Sequence, residues 1–197
     1  MRTAAQDREG EIITAVIRLL ETEGYEAVQV RRVATEASIS LTTLYKLFGS
    51  RDELIIRSLE RWMLDNAYAG LETLPAEGTA YEQLSAIVRS VFARWEHQPH
   101  MLVAFIRARL SPGGHRLELQ GFGEVNAKAL AILEELDPEL LADVVMVLEH
   151  VNIAAIERFA VGEIAVTEIV PIYERTLRCL LREAPAAPRR NTRRRRP

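Results

Sequence analysis

Ile12, Ile13, Val16, Ile17 and Leu20 recur at three- and four-residue spacing, so the chain opens on an amphipathic helix over about residues 8–23. Gly24 supplies its left-handed stop. Val30, Val33, Ala34 and Ala37 mark a short second helix, Ser38-Ile39-Ser40 a tight break, and Leu44 and Phe48 the buried face of a third helix over residues 41–48, closed by Gly49. Ser50-Arg51-Asp52-Glu53 reads as a capping box: the serine oxygen accepts from the third amide and the glutamate reaches back. The helix it opens extends to about residue 71, before Leu74-Pro75-Ala76-Glu77-Gly78 breaks the pattern. A second capping box, Thr79 to Glu82, starts a fifth helix with the stripe Tyr81, Leu84, Val88, Val91 and Trp95.

Gln98-Pro99-His100 ends that helix. A short apolar helix over residues 101–110 follows, then the loop Ser111-Pro112-Gly113-Gly114 and a seventh helix over about 119–136. Asp137-Pro138 caps an eighth helix, which runs to about residue 161. Thr167 opens a ninth, because Pro171 is tolerated only near a helix start. No strand-period segment or internal repeat interrupts this series. The expectation is an all-α chain of about nine helices: an N-terminal three-helix unit over residues 1–52, a second helical unit over 53–184, and an arginine-rich tail over 185–197 that cannot bury a core.

The second and third helices carry the chemistry. A short helix, a three-residue break and another short helix form a helix-turn-helix, in which the second helix enters a DNA major groove. Val30, Val33, Ala34, Ile39, Leu44 and Phe48 are its expected buried positions. Arg31, Thr42, Thr43, Tyr45 and Lys46 are left facing out, and these groups suit phosphates and base edges. Arg31 and Arg32 can also be read as a solvated helix face, and Tyr45 as a core aromatic with a wet hydroxyl.

Gly24-Tyr25, Val33-Ala34, Ala37, Thr43-Leu44-Tyr45, Phe48 and Ser50-Arg51, taken together, resemble the DNA-binding domain of the tetracycline-repressor (TetR) family over about residues 8–60. The wording around residues 24–29 and the step Arg107-Ala108 also look similar to actinobacterial regulators of sterol and lipid catabolism within that family. The resemblance implies a transcriptional regulator, a repressor released from a palindromic double-stranded DNA operator by a small apolar or acyl-type effector. It implies phosphate contacts for Tyr45 and Arg51 and base contacts for Arg31, Leu41 and Thr42. It also implies a homodimer built through the last two helices. Val144, Met146, Val147, Val151, Ile153, Leu177, Leu180 and Leu181 are more apolar positions there than one core can use. Two positions depart from the family pattern: Gln29 stands where Thr or Ser caps the second helix, and Ser38 where the turn has Gly. Serine lacks glycine's ease with positive φ.

The C-terminal half is too apolar to be a spacer. Leu102, Phe105, Ile106 and Leu110 share a helical face with Arg109, with Arg107 at its edge. Leu141, Val145, Leu148, Ile156 and Phe159 share another with Asn152, with Glu149 beside them. Polar groups inside apolar stripes need partners, and a bound ligand is one way to supply them. Trp95, Phe105, Arg109 and Asn152 are the candidate effector contacts; Arg109 snorkelling to water and Asn152 bonding a neighbouring helix are the alternatives.

No cofactor motif, metal set or nucleophile in a recognisable setting appears. Gly121-Phe122-Gly123 follows no strand, and Pro99 interrupts the helix between His97 and His100. An all-helical small-molecule-binding or enzyme-like protein without DNA binding is the remaining alternative. Charge adds one complication. The net charge is −3, yet six arginines stand in the last nine residues, and without them 19 basic residues face 28 acidic ones. A phosphate-binding surface must therefore be local, and between Gln29 and Arg51 it is: Arg31, Arg32, Lys46 and Arg51 face only Glu36. Cys179 is the one cysteine and no apolar run is long enough to span a bilayer, which points to the cytoplasm and away from membranes.

Overall fold

Leu41–Phe48 (α3) forms between the residues that the capping pattern marks. Ser40 at its start accepts from the Thr43 amide at 3.1 Å, and the Gly49 amide donates to the Tyr45 carbonyl at its end. The computed structural model describes residues 4–74, 77–134 and 136–181. The tail over 185–197 lies outside the described residues. Among those described the chain is all-helical. Around α3 stand α1 (Ala4–Glu23), α2 (Val30–Glu36), α4 (Arg51–Trp62), α5 (Ala80–His97), α6 (Pro99–Arg109), α7 (His115–Leu133), α8 (Pro138–Ala160) and α9 (Ile169–Leu181). No described helix is long and apolar enough to cross a membrane.

Both departures in the helix-turn-helix leave physical marks. Gln29 makes no side-chain cap on α2, so the first amides of that short helix lack the partner a Thr or Ser would give. Ser38 takes φ 51 in the turn, the one described non-glycine residue in left-handed conformation. That geometry costs a residue with a Cβ roughly 1–2 kcal/mol, and glycine adds back a smaller entropic penalty. Ser38→Gly is therefore expected to raise stability by about 0.5–1 kcal/mol, read as a higher urea midpoint with an unchanged slope.

Several elements differ from the pattern-based reading. A 3-10 turn, Tyr25–Ala27, fills the gap between α1 and α2. The fourth helix does not reach residue 71: its α-form ends at Trp62, and Met63–Ala67 continues as a π turn that buries Met63 and Ala67. α7 begins at His115, four residues before its expected start, because Leu117 is fully buried and must face the core. Leu110 is 77% exposed and falls just past α6, so it leaves the stripe assigned to it. Ser50 caps α4 as expected, accepting from the Glu53 amide at 3.0 Å, but Glu53 does not reach back; its carboxylate takes both Nη atoms of Arg116 from α7 at 3.1 Å. The Thr79–Glu82 box is complete, and the threonine's amide and hydroxyl hold the Glu82 carboxyl below its ordinary range.

One core runs through both halves. Ile12, Val16 and Leu20 of α1, Leu44 and Phe48 of α3, and Leu54, Ile55 and Trp62 of α4 join Trp95, Met101, Leu102 and Tyr173 in a single cluster. A second, smaller cluster holds Leu71, Leu84, Ile87, Leu133, Val144 and Leu177 between α5, α7, α8 and α9. α4 and α6 both pack on α1, and α6 also packs on the Tyr25–Ala27 turn, so the three-helix unit rests directly on the second unit.

Candidate DNA interface and effector cavity

α3 turns Leu44 and Phe48 into the core and leaves Leu41, Thr42, Tyr45 and Lys46 outward. Leu41 with Tyr45 and Thr42 with Lys46 are each four residues apart, so the four form one broad face. Leu41 is 38% and Tyr45 48% exposed, large values for residues so apolar at the tip of a domain. Arg31, on α2 and ten residues before Leu41, is also exposed. The other three candidates are placed differently. Thr43 is half-buried and its hydroxyl lies 2.9 Å from the Ser40 hydroxyl, within the α3 cap. Arg32 forks onto Glu23 at 2.8 and 2.5 Å and bonds Glu36 at 2.9 Å, tying the end of α1 to α2. The two carboxylates push its guanidinium pKa up further, and the bond to Arg32 lowers that of Glu23. Arg51 donates to the carbonyls of Val28 at 2.6 Å and Tyr25 at 2.7 Å, with its guanidinium 4.5 Å from the Tyr25 ring centre. It pins the start of α4 to the segment before α2, and the remaining guanidinium N–H groups are its only donors left for a phosphate.

Trp95, Phe105, Arg109 and Asn152, drawn from α5, α6 and α8, all line one cavity of about 240 Å³. Its wall is largely apolar and includes the rings of Phe92, Trp95, Phe105 and Tyr173. Trp95 lies 5.7 Å from Phe105, and Phe92 lies 5.6 Å from Tyr173 of α9. Asn152 accepts from the Tyr173 hydroxyl at 2.5 Å, and burial raises that phenol's pKa, so it stays a donor. Arg109 does not snorkel: its side chain is 14% exposed and bridges Glu118 at 2.7 Å and Glu157 at 3.0 Å, with Nε buried and unpartnered. Phe92, Tyr173, Glu118 and the α7 residue Leu117 complete the wall and were not singled out from the sequence. Their helices carry apolar stripes on which cavity-facing and core-facing positions look alike.

Two arginines missed as functional candidates join this cavity region to the Tyr25–Ala27 turn and to α4. Arg107 of α6, two residues from Phe105 and Arg109, pairs with Glu26 and lies 5.6 Å from the Tyr25 ring centre. Arg116 of α7, beside cavity residues Leu117 and Glu118, clamps Glu53 and Glu60 of α4, and Gln120 adds a bond to the Glu60 carbonyl at 3.0 Å. Among the described residues no three metal-binding side chains come together.

Residues 12–57 match the family described as bacterial regulatory proteins of the tetR family, and residues 78–180 match the tetracyclin repressor-like C-terminal domain. The chain belongs to the TetR family. This membership in a family of regulatory proteins sets the enzyme-like alternative aside. Among TetR-family relatives, the chain is 32% identical over 109 residues to the transcriptional repressor KstR of Mycolicibacterium smegmatis, covering 53% of this chain and 52% of that one. The chain thus spans about half the length of the curated KstR relatives it matches. It is 27% identical over 175 residues to an uncharacterised regulator encoded in the dhlA 5′ region of Xanthobacter autotrophicus, 84% of each chain. In fold it is similar to a TetR-family regulator from Mesorhizobium loti, with a TM-score of 0.63 at 17% identity over 93% of this chain and 99% of that one.

Proposed function

We propose that this TetR-family chain is a cytoplasmic, homodimeric transcriptional repressor, which holds a two-fold operator with paired α3 helices and lets go when a small apolar effector fills the cavity. The observation that carries this reading is that α6 and α7 each bear cavity-lining residues and, next to them, an arginine: Arg107 is fixed to Glu26 of the three-helix unit, and Arg116 to Glu53 and Glu60 of α4, the helix that follows that unit directly. An effector that displaces Phe105, Arg109 or Glu118 therefore displaces Arg107 or Arg116. Those in turn carry Tyr25 and α4, and with them the spacing of the two recognition helices. Only a ligand with unequal affinity for the two spacings does this. The division proposed is DNA binding by residues 1–52 and effector binding and dimerisation by residues 53–184.

Within the recognition surface, Arg31, Leu41 and Thr42 read base edges, Tyr45 and Lys46 meet phosphates, and Thr43, Arg32 and Arg51 act chiefly by holding that surface in shape. Electrophoretic mobility shifts with DNA from beside the chain's own gene test the reading. Arg31→Ala should weaken specific binding by about 1–3 kcal/mol, roughly five- to 150-fold, and relax preference at one base pair per half-site. Equal weakening on specific and random DNA would show that Arg31 touches only backbone.

A further inference from the structure

The cavity's charges narrow what can occupy it. Among the described residues Arg109 is its one lining cation, and two carboxylates, Glu118 and Glu157, already hold it. Glu149 also lines the wall, one turn before Asn152 and Ile153 on the same α8 stripe, and it has no ion pair or hydrogen bond among the described residues. An anionic head would have to displace a carboxylate from Arg109 while facing Glu149. A cationic head meets Glu149 with nothing to displace. The rings point the same way. Trp95 and Phe105, and Phe92 with Tyr173, are two ring pairs in the cavity wall, and ring faces attract ammonium groups. Arg109 Nε is buried without an acceptor, which leaves room for a neutral hydroxyl, ether or carbonyl on the ligand but calls for no further negative charge.

Size sets the other bound. A dry cavity of roughly 150 Å³ accepts benzene, and drug-sized ligands occupy roughly 300–1,000 Å³. At about 240 Å³ this cavity lies between them, room for one or two fused rings with a short side chain.

We infer that the effector is a small organic cation, a one- or two-ring molecule with a protonated amine, whose ammonium pairs with Glu149 while its rings pack against Trp95, Phe92 and Phe105. This rests on the effector-cavity reading above and specifies its ligand. It departs from the acyl-type effector that the family resemblance implied, on the ground that the one cation able to receive an acid is already neutralised.

Three probes of matched ring size separate the possibilities by calorimetric titration of the full chain: 1-naphthylmethylamine, 1-naphthalenemethanol and 1-naphthoic acid. The amine should bind about tenfold or more tighter than the alcohol, and the acid weakest. Glu149→Gln should bring the amine down to the level of the alcohol and leave the alcohol within about twofold, while Glu149→Asp retains part of the preference. Thermal melting of each variant checks that the fold is intact. Acid binding as tight as amine binding, or an amine affinity that ignores Glu149→Gln, overturns the inference and leaves the cavity reading standing. Failure of all three probes to bind overturns both.

Discussion

Met146→Glu is expected to convert the proposed homodimer into a monomer at micromolar concentration and to abolish tight operator binding. α8 packs against α9, yet Met146 is 51% exposed on its outer side, and Ile153, seven residues on, is 40% exposed. Two such residues, two turns apart, mark an apolar line along a helix that has used its other faces on the cavity and the second core. In a two-fold interface the same residue is buried twice, so one substitution introduces two unpaired charges. An unpaired charge left in such an interface costs about 3–5 kcal/mol, and the two together exceed what a dimer of moderate affinity can absorb. Met146 is a better target than Ile153, which also lines the cavity, because its loss in the monomer touches neither the core nor the ligand. Sedimentation velocity should show the monomer mass, circular dichroism an unchanged helical spectrum, and mobility shift only weak binding to an isolated half-site. A Met146→Glu protein that still sediments as a dimer would place the subunit contact elsewhere.

Trp62→Ala should cost about 3–5 kcal/mol of stability, roughly a fifth or more of what a domain of this size commands. The side chain is 1% exposed in α4; its indole N–H donates to Glu21 of α1 at 2.8 Å, and its ring centre lies 4.6 Å from that of Trp95 in the cavity wall. Removing it opens a void at the meeting point of α1, α4 and α5 and leaves the Glu21 carboxylate without its donor. Urea unfolding should show a lower midpoint at a similar slope, because the surface exposed on unfolding hardly changes. Trp62→Phe should recover most of the loss while still lacking the bond to Glu21. The alanine variant should also bind bulkier cavity ligands than the parent chain, since Trp95 loses the ring that backs it. Wild-type stability in the alanine variant would mean that α4 repacks over the gap, contrary to the close packing around it.

The helix-turn-helix was legible because its determinants are local. Gly24, Ser40, Gly49 and Ser50 act on amides within a turn of themselves, and Leu44 and Phe48 need only a helical period to define the buried face of α3. The same holds for the Thr79–Glu82 box and for the Asp137 cap, which accepts from the Glu139 amide at 3.0 Å. The left-handed Ser38 was foreshadowed only through the family resemblance, which puts glycine at that place in the turn. The C-terminal half was legible only as a set of stripes. That Trp95, Phe105, Arg109 and Asn152 meet at one cavity follows from how four helices cross, and no stripe records its own crossing angle.

The sequence by itself determined the all-helical class, most helix starts and stops, the outward face of α3 and the surplus of apolar positions on α8. All of these depend on neighbours within a few residues. Tertiary structure alone decided which partner each charged or ambiguous side chain found. Glu53 left its cap for Arg116, Arg32 and Arg51 turned inward to Glu23, Glu36 and two carbonyls, and Arg109 was neutralised inside the wall. Val144 and Leu177, counted among the dimer candidates, were drawn into the chain's own second core at 0% exposure, while Met146 stayed outside. The physical reason is reach. A long charged side chain has several partners of nearly equal intrinsic merit, and an apolar residue has no directional preference, so each choice rests on which helix packing brings within a few ångströms.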